Sequence, residues 1–275
     1  MKPPLSRRHA RVALTLALNV GLLDACAAPS PGDAAPPTVA VVAASDLSHV
    51  FDALRLGLSA ERPEITVTVS YGASGSLTAQ INEGAPFDVF FSADMAYPET
   101  LVSEGLVSEA GVRPYAMGAL VVWAPRGSPA PLAADGVAAL ASPAVKHVAI
   151  ANPQHAPYGR AAVAALKSLE LFDVVEPKLV YGENVSQTTQ LTQSGAAELG
   201  LISRSMTLAP ATRGQGFVLT LPPDRYPPIV QGVAVLKRAA SPEAAEALVT
   251  FVRSPAGQAI LAEHGFTPYD TPSAP

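Results

Sequence analysis

Short valine- and alanine-rich runs alternate along this chain with segments of helical periodicity, and few architectures accept that alternation. Residues 38–44 (TVAVVAA) are apolar throughout, as in a strand covered on both faces. Ser45 follows and predicts a helix to about residue 62. Valines alternate with threonines over 65–71, a turn spans 72–75, and 76–83 reads as helix. The cycle repeats as strand 88–93, helix 97–105, strands 120–124 and 148–151, helix 159–169, an extended piece at 180–182, helix 188–195 and strand 199–203. A last strand over 229–237 precedes two helices. Ser241-Pro242-Glu243 opens the first, Ser254-Pro255 opens the second, and Gly265 stops it. The pattern predicts an α/β protein with mostly parallel sheets. Two sets of βα units, with the chain returning at its end, predict two lobes and a cleft between them. The first lobe is expected to hold residues 38–118 and 230–270, the second 119–229. A length of 275 residues supplies a core for each.

The two ends read differently. Lys2, Arg7, Arg8 and Arg11 precede a short apolar run over 12–23, the layout of an export signal over 1–26 and too short for a membrane span. That run ends Leu23-Asp24-Ala25-Cys26, which resembles a bacterial lipoprotein cleavage box and makes Cys26 the candidate lipid acceptor. Ordinary cleavage beside Ala25 or Ala27 is the competing reading. The Arg7-Arg8 pair also fits twin-arginine export. Cys26 is the only cysteine, so no disulfide stabilises the mature body. Residues 27–37 are proline- and alanine-rich and read as a tether, and 271–275 as a tail. The expected location is the periplasm or the outer face of the bacterial membrane, with membrane contact only through a lipid.

Composition narrows the partners. Net charge is −5, and no basic run follows Arg11, which excludes a nucleic-acid partner. The chain carries no Gly-x-Ser-x-Gly elbow, no His-Glu-x-x-His and no phosphate loop. His9, His49, His147, His155 and His264 are not at metal-ligand spacing. An enzyme and a cofactor are therefore not expected. Two strand-to-helix junctions carry serine: Ala44-Ser45-Asp46 and Gly72-Ala73-Ser74-Gly75-Ser76. A helix start exposes unpaired N–H groups with partial positive charge, glycine permits close approach, and a hydroxyl adds a donor, which together suit an anion. Taken singly, each serine is as simply a helix cap.

A family resemblance decides between these readings. Residues 41–47, SYGASGSLTAQINEGAP (70–86), DVFFSAD (88–94), NPQHAPYG (152–159), Leu199-Gly200-Leu201-Ile202 and SPAGQAILAEHGF (254–266) resemble the periplasmic molybdate-binding proteins of ABC importers. The likeness spans about residues 39–268. It implies a two-lobed periplasmic binding protein type II fold that captures molybdate, and with it tungstate, as ligand. It implies a monomer delivering that ion to a permease and its ATPase. Carried over by motif, Ser45 and Ser74 supply hydroxyl and backbone donors, and the backbone N–H of Asp46 joins them. Tyr158 supplies a hydroxyl or N–H, and Val185 a backbone N–H. Many members carry tyrosine where this chain has Ser203, so Tyr158 is expected to take that hydroxyl role. The carboxylate of Asp46 is expected to turn from the dianion toward its own helix terminus. Alternatives on the same fold are sulfate or phosphate binding. A lipid-anchored enzyme or anion sensor is the reading from another class.

Overall fold

Ten strands form two five-stranded sheets in the computed structural model, which describes residues 36–269. The expected signal, Cys26, most of the tether and the tail lie outside those residues. The first stretch contains β1 (Thr38–Ala44), α1 (Phe51–Glu61), β2 (Thr66–Gly72), α2 (Ser74–Asn82), β3 (Val89–Ser92), α3 (Ala96–Ser103) and β4 (Val107–Gly118). The second contains β5 (Leu120–Pro125), α4 (Leu132–Asp135), β6 (Val148–Ala151), α5 (Pro157–Ser168), α6 (Phe172–Val175), β7 (Leu179–Gly182), α7 (Val185–Gln193), β8 (Leu199–Ser203), α8 (Arg204–Thr207) and β9 (Gly216–Thr220). The chain ends with β10 (Ile229–Leu236), α9 (Pro242–Arg253) and α10 (Pro255–Glu263).

The first sheet runs β2-β1-β3-β10-β4 and the second β7-β6-β8-β5-β9. Both are mixed. β1 is parallel to β2 and β3, and β6 to β7 and β8, whereas β10 and β5 run antiparallel to their neighbours. The antiparallel pairings belong to the strands that carry the chain between sheets. β4 leads through Ala119 into β5, and the segment after β9 leads back to β10.

The uninterrupted apolar run of β1 follows from two-sided burial. Val39, Val41 and Ala43 pack with Leu54 and Leu58 of α1 and Leu248 and Val252 of α9. Val42 points the other way, to Leu77 and Ile81 of α2 and Leu101 of α3. In the second lobe, fully buried Trp123 of β5 shares a core with Leu199 and Leu201 of β8 and Ala162 and Leu166 of α5.

Two strands carried no sequence signal. β4 lacks a β-branched run and contains Pro114, which its edge position tolerates. β9 is the other sheet's edge and is largely exposed. Helix starts also differ. Residues 45–47 form a separate 3-10 turn ahead of α1, and α2 begins at Ser74, two residues before the expected start.

Phe91 anchors the first core, with its ring edge-on to Phe51 (5.2 Å) and Tyr115 (5.4 Å). Phe91→Ala is expected to cost about 3–5 kcal/mol in urea unfolding. A loss below about 1 kcal/mol would contradict this packing.

Candidate functional site

A cavity lies where the parallel strands of both sheets end, the position at which open α/β sheets take ligands. Ala44 ends β1, Gly72 ends β2, and Ala93 follows β3. Opposite them stand Ala156, Pro157 and Tyr158 at the start of α5, and Asn184 and Val185 at the start of α7. The structure thus brings Ser45, Asp46, Ser74, Tyr158 and Val185 onto one wall system. Only about 10 Å³ is open to the centre of a water molecule. That volume suits one small ion and no sugar or peptide.

Helix starts dominate the lining. Ser74 is the first residue of α2, Tyr158 the second of α5 and Val185 the first of α7. First-turn N–H groups have no acceptor within their own helix, and the dipole makes each start partly positive. Asn184 caps α7 by accepting from Ser186 N and Gln187 N, which leaves the N–H of Val185 outside the cap. Neither cavity serine caps its own helix. Ser74 Oγ instead accepts from Ala93 N (3.0 Å), and Ser45 Oγ from Ser186 N across the cavity (3.3 Å). A hydroxyl that accepts a backbone N–H keeps its own hydrogen to donate.

The two lobes close on each other here. Gly75 N donates to His155 O (2.9 Å), and a Cβ on Gly75 would lie 2.8–2.9 Å from Tyr97 Oη and His155. Arg160 of α5 pairs with Asp94 after β3 and donates to Tyr97 Oη (2.8 Å). At the floor, Ser205 Oγ of α8 donates to the carbonyl of Asp46 (2.8 Å). Ser203 caps α8 through Met206 N and does not line the cavity.

One expectation needs correcting. The Asp46 side chain does not serve its own helix terminus alone, because Gln231 reaches it from β10. The carboxylate is 1 % exposed, and its Oδ2 accepts from Gln231 Nε2 (2.9 Å). Its Oδ1 is buried with no hydrogen-bond partner. Burial pushes the Asp46 carboxyl from 3.8 up to about 6, offset in part by the Tyr158 hydroxyl, Gln231 and the N–H groups of Asp46 and Leu47. The Tyr158 hydroxyl is buried in the same cluster, where it accepts from Gln231 Nε2 (3.5 Å). Burial and the Asp46 charge raise the Tyr158 hydroxyl well above the ordinary tyrosine value. Tyr158 also stands in the first turn of α5, where its N–H has no acceptor within the helix. Gln231 was missed although a glutamine inside the apolar strand IVQGVAVL is itself a signal, and Tyr115 Oη, which donates to Gln231 Oε1 (3.0 Å), carried none.

Comparison with known proteins agrees with this architecture. A profile of bacterial extracellular solute-binding proteins matches residues 39–267. The molybdate-binding protein ModA of Rhodobacter capsulatus is 36 % identical over 82 % of this chain and 87 % of its own length. That of Azotobacter vinelandii is 36 % identical over 92 % of this chain and 96 % of its own. The solved Azotobacter vinelandii periplasmic molybdate-binding protein superposes with a TM-score of 0.77 at 32 % identity, covering 84 % of this chain and all of that one.

A carboxyl raised on folding weakens the fold as it ionises. No penalty exists below about pH 4, where it is protonated folded and unfolded. The penalty grows between 3.8 and about 6 and is constant above, on the order of 3 kcal/mol. Ion-free Asp46→Asn is therefore expected to match the parent in acid and to exceed its stability above about pH 6. Denaturant unfolding across this range checks it, and a difference independent of pH would refute the assignment.

Proposed function

The chain belongs to the bacterial extracellular solute-binding proteins, and on that premise we propose that it captures molybdate outside the cytoplasm for an ABC importer. The observation that carries this reading is a small cavity lined by two serines and the starts of three helices, with no lysine, arginine or histidine among its lining residues. Such a cage holds an anion by dipoles alone. Each hydrogen bond to a charged group nets about 1.5–3 kcal/mol, and about five of them offset the desolvation of a dianion with enough left for sub-micromolar binding. Ser45 and Ser74 act through hydroxyl and backbone donors, and Asp46, Tyr158 and Val185 through their N–H groups. Sulfate carries the same charge, so the cage selects by size. Tungstate is nearly the size of molybdate and binds with it.

The donors come from both lobes, so the ion stabilises the closed form, which a permease and its ATPase then recognise. In this reading the protein binds and releases its ion without turnover, as the solute-binding family it belongs to suggests. In this reading Cys26 carries a lipid that holds the protein at the outer face of the bacterial membrane. Intact mass of membrane-extracted protein tests this, and the mass of the bare mature chain would overturn it. Phosphate is the second reading, favoured by Asp46. An ionised carboxylate on the wall accepts a hydrogen bond from a hydrogen-bearing anion.

Calorimetric titration decides between them. Molybdate and tungstate are expected to bind one-to-one with sub-micromolar Kd, with sulfate and phosphate at least about a hundredfold weaker, and Ser74→Ala is expected to weaken molybdate by about tenfold or more. Tighter binding of phosphate, or no heat with molybdate, would overturn the molybdate reading.

A further inference from the structure

An acid on the wall of an anion site is a conflict that the fold does not relieve with a cation. Asp46 lines the cavity, is 1 % exposed, and has one oxygen, Oδ1, with no hydrogen-bond partner. The groups that face it are all neutral. Tyr158 comes from α5, with Tyr226 beside it, Gln231 from β10, and Tyr115 from β4 behind Gln231. Ser205 of α8 meets only its carbonyl. The hydroxyls of Tyr158 and Tyr115 are held neutral by burial first and by the Asp46 charge second. His155, on the loop entering α5, turns a ring nitrogen to Glu183 O. A dianion placed in this cavity therefore meets an ionised carboxylate buried in a low-dielectric wall, with no cationic side chain in the lining.

We propose that Asp46 makes ion capture proton-coupled: the oxyanion binds the form of the site in which Asp46 is protonated, one proton is taken from solvent to Oδ1 with each ion, and that proton leaves when the ion does. The inference rests on the molybdate reading and adds to it the protonation state in which the site works. A proton on Oδ1 removes the repulsion and gives the one unpartnered oxygen of the cluster a hydrogen to donate. Without the ion, burial already holds this carboxyl at about 6, so a nearby dianion needs only to extend a shift that the fold has begun. The cluster also ties together Asp46 from the first lobe, Tyr158 from the second and Gln231 from the returning strand, so the proton is held where the lobes meet.

The sign follows from linkage. Below about pH 6 the empty site is already protonated, and affinity is flat. Above it, each ion must bring a proton, and Kd for molybdate rises about tenfold per pH unit until the pKa of the loaded site is reached. Molybdate itself stays a dianion over this range. The experiment is titration of the full mature protein with molybdate from about pH 6 to about pH 8.5, in pairs of buffers with different ionisation heats, which count protons directly. The expected result is uptake approaching one proton per ion in the parent. Asp46→Asn is expected to show none, with an affinity that no longer depends on pH. Molybdate binding without proton uptake, or the same pH slope in Asp46→Asn as in the parent, overturns the proposal and leaves the molybdate reading standing. The proton count on the unmutated protein does not depend on how the variant folds. Absence of molybdate binding by both proteins at every pH overturns the molybdate reading and this inference with it.

Discussion

Backbone N–H groups at a helix start need an acceptor, and in this molecule three helices bring that need to one place. α2, α5 and α7 begin at the same cavity, from two different sheets. Their first-turn donors cannot be satisfied within the helices. Asn184 caps α7, but Ser74 at the start of α2 accepts from Ala93 N instead of capping its helix. Each lobe thus leaves a partly positive, donor-rich edge that is incomplete until something negative enters. The layout of strands and crossovers serves this convergence.

Close approach of the lobes depends on what is missing from side chains as much as on what is present. Gly75 carries no Cβ where Tyr97 and His155 press in. Gly159 stands against the carbonyl of Ala151, where a Cβ would lie only 2.1 Å away. Gly75 lets the two walls meet, whereas Gly159 seats the start of α5 on β6 within the second lobe. The Arg160–Asp94 pair at the rim is partly exposed, so its contribution to closure is modest, within about 1 kcal/mol. Backbone fit and the neutral donors set the geometry.

Asp46 is the one element that runs against an anion site. Its burial raises its own pKa, and the Tyr158 hydroxyl is buried in the same cluster. The polar cluster of Asp46, Gln231, Tyr158 and Tyr115 also spans both lobes and two of the strands near the crossings. A buried network of this kind is sensitive to a single proton, because the low-dielectric interior screens charge weakly.

Much of this was legible from residue order. The two-sided burial of β1 is written in TVAVVAA, and the ends of α9 and α10 in Ser-Pro and a glycine stop. The five expected site residues, all in the cavity lining, lay in turn motifs, since glycine and serine at a strand-to-helix junction have local causes. β4 and β9 were not legible, because edge strands need no apolar run and β4 tolerates proline. The sequence by itself determined the alternation of elements, the helix starts and the absence of cationic chemistry, all properties of near neighbours along the chain. Which way Asp46 and Tyr158 point was decided only by tertiary structure, because their partner Gln231 is 185 residues from Asp46 and 73 from Tyr158. Hydrogen bonds over that separation depend on where the return strand β10 is laid, and no local pattern encodes it.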